Sequence, residues 1–298
     1  MPEDPRFTFT PPQRPRAFWA YLRSMLNAMG TAGFAVATLG HSFFRAPFDL
    51  EFVELPMPIR GLPRAFEGFR ILHVSDFHTN RGTPVWYLRR ALEQATRMPY
   101  DLAVITGDFI THGLKHVDAA VEVASLLRGP VLGVFGNHDY AETWETWSSD
   151  AVARLLAGKL AARGIRILRN EAFPIERDGQ RLWIVGMEDW WTERFSTQEA
   201  FRTVPPGEPV IALTHNADSV FALERAGAQW VLAGHTHGGQ IRLPFFESIM
   251  VPQKHKHFDM GLFEVGQCKL YVSRGVGFRR RARFRCRPEI TVFTLKSQ

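Results

Sequence analysis

Five short apolar runs in this chain each stop on an aspartate, a histidine or an asparagine, and that repetition restricts the folds open to it. Phe69–Ser75 runs into Asp76-Phe77-His78, Leu102–Thr106 into Gly107-Asp108, and Val131–Phe135 into Gly136-Asn137-His138-Asp139. Val210–Thr214 ends in His215-Asn216, and Trp230–Ala233 ends in Gly234-His235-Thr236-His237. Apolar runs of this length, rich in β-branched residues, read as strands buried on both faces. Helical spacing separates them. Thr83-Pro84 reads as an N-cap with proline at the first helical position, followed by Val85, Leu88, Leu92 and Ala95. Val117, Val121, Ala124 and Leu127 mark a second helix, and Val152, Leu155, Leu156 and Leu160 a third across residues 150–163. Strands alternating with helices indicate βαβ units around a largely parallel sheet. Such sheets bind ligands at the carboxyl ends of their strands, which is where the polar residues fall.

The rest of the chain is less regular. Leu50–Leu55 reads as a strand, with Pro56, Pro58 and Pro63 punctuating a loop after it. Residues 181–185 form a further strand and 219–226 a short helix, while 262–265, 270–273 and 290–295 read as antiparallel strands without intervening helices. Residues 1–16 carry five prolines and three arginines and form a disordered basic tail. Residues 17–46 are apolar, with no Asp, Glu, Lys or Arg between Arg23 and Arg45. Three readings compete for them: a membrane anchor that spans, a helix lying on a bilayer, and a helix packed on the protein itself. If the segment spans, the basic residues before it keep the N-terminus cytoplasmic. The globular domain occupies 47–298.

The two cysteines, Cys268 and Cys286, make no Cys-x-x-Cys, so any metal must be held by nitrogen and oxygen; a single Cys268–Cys286 bridge stays open. The formal net charge of +6 favours anionic partners. Asp76, His78, Asp108, Asn137, His138, His215, His235 and His237 are all types that bind borderline divalent metals. In Asp76-x-His78 and His235-x-His237, residues two apart on an extended segment point to one side. Eight such groups exceed the needs of one metal and suit two. Burying them together would be costly without cations.

The blocks Asp-Phe-His at 76–78, Gly-Asp at 107–108, Gly-Asn-His-Asp at 136–139, His215 and Gly-His-Thr-His at 234–237 resemble those of the calcineurin-like metallophosphoesterases, in that family's order. The resemblance implies an α/β fold, a four-layer αββα sandwich of two mixed sheets flanked by helices. It implies two divalent metal ions, drawn from Mn, Fe, Zn and Co. Asp76, His78 and His237 would bind the first, Asp108 would bridge both, and Asn137, His215 and His235 would complete the second. A hydroxide between the metals would attack phosphorus in line. His138 would face the leaving group, with Asp139 orienting its imidazole. Gly-His-Thr-His-Gly-Gly-Gln-Ile-Arg-Leu-Pro at 234–244, behind an apolar N-terminal segment, is similar to membrane-associated bacterial phosphoesterases. Some of that group are similar to UDP-2,3-diacylglucosamine pyrophosphatase.

For substrate recognition, Arg274 and the run beginning Arg279-Arg280-Arg281 form the densest positive charge, suited to phosphate, diphosphate or an anionic bilayer. The expected partner is a phosphorylated small molecule or lipid, such as a lipid- or nucleotide-linked diphosphate. The alternatives are a general phosphodiesterase or phosphomonoesterase with no lipid substrate, and a non-catalytic scaffold on the same fold. Nucleic acid is disfavoured because few aromatics interleave the arginines. Trp183 reads as core, and Trp190 and Trp191 as a surface pair near substrate. Trp144 and Trp147 are further pocket candidates. His73 reads as a hydrogen-bonded core residue, and His255 and His257 as part of a charged loop.

Overall fold

The computed structural model describes residues 24, 25, 27, 38, 40–80, 82–141, 150–242 and 251–298. The chain divides into two units, Met1–Ser42 and Phe43–Gln298. The tail at 1–16, most of the apolar segment 17–46, Trp144 and Trp147 lie outside the described residues. Among the described residues no helix is long and apolar enough to cross a membrane.

Two six-stranded sheets face each other in the second unit. The first is ordered β1 (Glu51–Ile59), β12 (Glu289–Ser297), β2 (Arg70–Val74), β3 (Leu102–Thr106), β4 (Val131–Val134), β5 (Ile165–Ile167). The second is ordered β10 (Gly261–Val265), β11 (Cys268–Val272), β9 (Trp230–Ala233), β8 (Val210–Leu213), β7 (Gln180–Gly186), β6 (Glu171–Arg177). Strands β2, β3, β4 and β5 run parallel, as do β7, β8, β9 and β11.

Side-chain alternation sorts these strands into layers. Ile71, Leu102, Val104, Leu132 and Val134 from one sheet share a core with Leu182, Ile184, Ile211, Leu213, Trp230 and Leu232 from the other. The intervening residues Leu72, Val74, Ala103 and Ile105 face outward onto three helices: α1 (Val85–Ala95), α2 (Val117–Ala124) and α3 (Asp150–Ala161). On the opposite outer face, Trp183, Val185, Ala212 and Val231 pack against α4 (Thr197–Ala200) and α5 (Val220–Arg225). The result is a four-layer αββα sandwich, as the sequence blocks imply. Trp183 is core, as expected.

Several local expectations are corrected. Strand β1 continues through Pro56 and Pro58 instead of breaking there. It is an edge strand paired to β12 alone. Residues two apart direct their N–H the same way, so both prolines can turn the missing donor to the open edge. The three C-terminal strands are not all antiparallel: β10 and β11 form a hairpin, but β11 runs parallel to β9 and β12 parallel to β1. Strands β5 and β6 carry too few buried residues to stand out in the sequence. Thr83 does not cap α1; its hydroxyl donates to the Phe278 carbonyl and accepts from the Phe278 amide, both at 2.9 Å. Cys268 and Cys286 are free and buried.

His73 is the hydrogen-bonded core residue its position suggests. Its Nε2 lies 2.8 Å from Thr106 Oγ1, and its ring packs near Tyr271 and Phe293. Burial disfavours the imidazolium and lowers the pKa to about 3. The folded state therefore binds fewer protons than the unfolded state, and the contribution to stability is full above the ordinary histidine range and is lost progressively as pH falls from that range towards about 3. Between about pH 7.5 and pH 5, the wild type should lose about 2 kcal/mol more stability than His73→Gln. Urea unfolding at the two pH values measures this; equal losses in both proteins would contradict it.

Candidate active site

The polar residues at the strand ends converge where the two sheets face each other. Asp76 and His78 follow β2, Asp108 follows β3, and Asn137–Tyr140 form a single 3-10 turn after β4. From the second sheet, His215 follows β8, and His235 and His237 follow β9. All are buried. The convergence does not come from extended backbone, which is the correction to the two-apart argument. Asp76, His78, Asp108, His235 and His237 have φ of 59°, 46°, 55°, 73° and 52°, the left-handed region. Each such residue costs on the order of 1 kcal/mol and persists only where surrounding structure enforces it. Glycine makes the close approach feasible: a Cβ on Gly136 would collide with Asp108 Oδ1, and one on Gly234 with Ser75 Oγ and Asp76 Oδ2.

Three overlapping clusters result: Asp76, His78 and His237; His78, Asp108 and His138; Asp108, His215 and His235. Within each, one donor atom per residue lies within 4.8 Å of the others. His237 Nε2 is 3.5 Å from Asp76 Oδ1, His78 Nε2 is 3.2 Å from Asp108 Oδ2, and His215 Nε2 is 3.1 Å from the same oxygen. His215 Nδ1 donates to the Thr106 carbonyl at 2.6 Å. That bond fixes the tautomer, because a carbonyl can only accept. Its Nε2 lone pair is left opposite a carboxylate, which is unfavourable unless a proton or cation lies between. The electrostatics agree. Burial works against charge on His215, but Asp108, Asp76 and Asp189 outweigh it and push its pKa up to about 10. Burial alone would raise the Asp108 pKa; the imidazoles of His215, His138 and His78 instead hold it well below the carboxylate range. Asn137 Oδ1 and both nitrogens of His237 are buried without a hydrogen bond. Buried carboxylates, aimed imidazoles and unpartnered acceptors, all nitrogen or oxygen, fit divalent cations.

Residues 69–239 match the family of calcineurin-like phosphoesterases. The chain belongs to that family. It is 30% identical over 285 residues to the uncharacterized metallophosphoesterase YkuE of Bacillus subtilis, covering 93% of this chain and 96% of that one. It is 30% identical to phosphodiesterase YaeI of Escherichia coli over 76% of this chain and 82% of that protein. To UDP-2,3-diacylglucosamine pyrophosphatase LpxG of Chlamydia muridarum it is 29% identical, over 78% and 85%. The chain is accordingly a metal-dependent hydrolase of phosphate esters.

Within this phosphoesterase, Asp139 does not touch the His138 imidazole as the motif led us to expect. Its carboxylate accepts the backbone N–H of Asp108 and Gly136 at 2.9 Å and of Ile110 at 3.2 Å. The imidazole bonds to backbone instead: His138 Nδ1 donates to the Thr111 carbonyl at 2.7 Å. Thr111 Oγ1 also lies 3.2 Å from His78 Nδ1. Thr111 thus aligns two site histidines, and no motif in the sequence marked it.

A cavity of about 290 Å³ opens over the clusters, lined by His78, Asp108, Asn137, His138, His235 and His237 on its floor. Arg279, Arg280, Gln240 and Trp191 line its walls. Trp191 packs edge-on against His235, with ring centroids 4.6 Å apart. Of the four arginines expected to bind substrate, only Arg279 and Arg280 reach the cavity lining. Arg274 pairs with buried Glu289 and with Glu51, and Arg281 lies over the rings of Phe44 and Phe48.

Arg283, unremarked in the run, is fully buried. Its guanidinium donates to the carbonyls of Arg274, Gly275 and Gly277, holding the loop that presses Gly275 on Asp76. His255 sits in a loop as read, but Nδ1 is 2.7 Å from buried Asp218.

Because Asp139 anchors the Asp108 turn, Asp139→Ala should reduce bound metal per chain together with turnover. Metal analysis after gel filtration checks this; full metal content with lost activity would restore the imidazole-orienting role instead.

Proposed function

We propose that this phosphoesterase cleaves phosphoester or phosphoanhydride bonds at a site for two divalent ions. Asp76, His78 and His237 would hold one, Asn137, His215 and His235 the other, and Asp108 both. The observation that carries the reading is the membership of Asp108 in clusters on both sides, with His78 and His215 each within 3.2 Å of its Oδ2. When bound, such ions activate water at neutral pH and neutralise charge on the phosphoryl oxygens. The chain's own residues do the rest. Arg279 and Arg280 draw the anionic group into the cavity. His138, fixed through Nδ1 by Thr111, presents Nε2 to the leaving oxygen. Trp191, packed against His235, lines the cavity beside them.

For the substrate we infer a lipid- or nucleotide-linked diphosphate such as UDP-2,3-diacylglucosamine, with residues 17–46 holding the enzyme at a membrane. The similarity to the Chlamydia pyrophosphatase and the arginine-lined wall support this. The similarity to the Escherichia coli phosphodiesterase supports a second reading, a general phosphodiesterase without lipid preference.

Asp108→Asn should lower turnover at least about a thousandfold in metal-supplemented buffer, since it removes both charge and shared ligand; unchanged turnover would sink the two-ion assignment. His138→Gln should cost between about 10² and 10⁴ in kcat with metal content retained. Rates on a nucleotide-diphospho-sugar lipid, a cyclic nucleotide, a phospholipid and bis-p-nitrophenyl phosphate, each with Mn and with Zn, separate the two substrate readings. Preference for the aryl diester over the lipid would favour the second.

A further inference from the structure

Beside the cavity mouth, the 43–298 unit carries a surface that hydrolysis does not use. Phe43, Phe44 and Trp86 are 46%, 72% and 58% exposed. They are not scattered. The Phe48 ring lies 5.4 Å from Trp86, and Arg281 bridges Phe44 and Phe48 at 5.7 and 5.1 Å from their centroids. Trp86 and Arg90 are four residues apart on α1 and so share its exposed face. Both line a groove of about 280 Å³ with Phe48 and Leu50. Arg280, next in the chain to Arg281, reaches the catalytic cavity, so the aromatic surface and the mouth adjoin.

The charge on this face is uncompensated. Arg45, Arg90 and Arg281 are exposed and make no ion pair among the described residues. Asp49, an acid in the groove, is held by Arg287 at 3.0 Å. Three guanidinium groups with no acidic partner among the described residues, set around exposed Phe and Trp, match one environment well. Aromatic rings settle at the headgroup level of a bilayer, and arginines beside them meet lipid phosphates. Nucleic acid would satisfy the arginines but would leave Phe43 and Phe44 in water.

We propose that this face docks on an anionic lipid bilayer, with Phe44 and Trp86 entering the interface and the cavity mouth at the membrane surface. The docking is a property of the folded domain, additional to any anchoring by residues 17–46, and it stands whether or not the assigned hydrolysis is right.

The test uses the full chain with vesicles of equal phosphatidylglycerol and phosphatidylcholine, compared with phosphatidylcholine alone. An environment-sensitive dye is placed at Trp86→Cys and, as a control, at Leu155→Cys on the exposed face of α3. Cys268 and Cys286 are buried, so the new thiol is the one labelled. The expected result is a blue shift at residue 86 and none at 155, on the anionic vesicles only. Arg90→Glu and Trp86→Ala should each weaken sedimentation with these vesicles by at least about tenfold, with turnover of soluble bis-p-nitrophenyl phosphate unchanged. Co-sedimentation with residue 86 still in water would place binding elsewhere and overturn the proposal. So would an equal shift at 155, an equal shift with duplex DNA, or no binding at all.

Discussion

The structure depends on holding one carboxylate, Asp108, among three imidazoles inside a protein. His78, His138 and His215 surround it, and His215 aims its Nε2 at it because the Thr106 carbonyl takes Nδ1. In an apolar interior such a cluster is tolerable only when positive charge sits within it. The groups are therefore a poor core and a good cation site. Their burial is imposed by the large apolar layer between the two sheets and the helices outside them.

That imposition shows in the backbone. Five of the site residues adopt left-handed conformations that side chains avoid, and Gly136 and Gly234 sit where any Cβ would strike a candidate ligand. Groups outside the candidate ligand set hold the strain in place. Asp139 gathers three amides around the Asp108 turn, Thr111 aligns His78 and His138, and Arg283 gathers the carbonyls behind Asp76. The rigidity needed for phosphoryl chemistry is thus supplied by ordinary backbone hydrogen bonds around unusual turns.

Much of this was legible in the chain. Buried parallel strands announce themselves as unbroken apolar runs, and α1, α2 and α3 as 3.6-residue patterns. The family blocks pointed to the sandwich and to the residues that converge. What escaped has a common cause. Strand β1 runs through two prolines because an edge tolerates them, and β11 and β12 take their directions from neighbours far away in sequence. Direction and edge position are properties of the sheet, invisible in a single segment.

The identities of the donors, their place at the carboxyl ends of strands and the absence of a Cys-x-x-Cys site were determined by the sequence alone, because they follow from residue type and local period. Which partner each side chain takes was decided only by the tertiary structure. Asp139 stands next to His138 in the chain yet bonds the amides of Asp108 and Ile110, since the turn after β4 directs its carboxylate toward the neighbouring strand end. Arg274, Arg280, Arg281 and Arg283 look alike in sequence, but one is paired with acids, one lines the cavity, one lies on aromatic rings and one holds a loop. A side chain's role depends on what the fold brings within about 3 Å of it, and the residues that do so here come from strands distant in the chain.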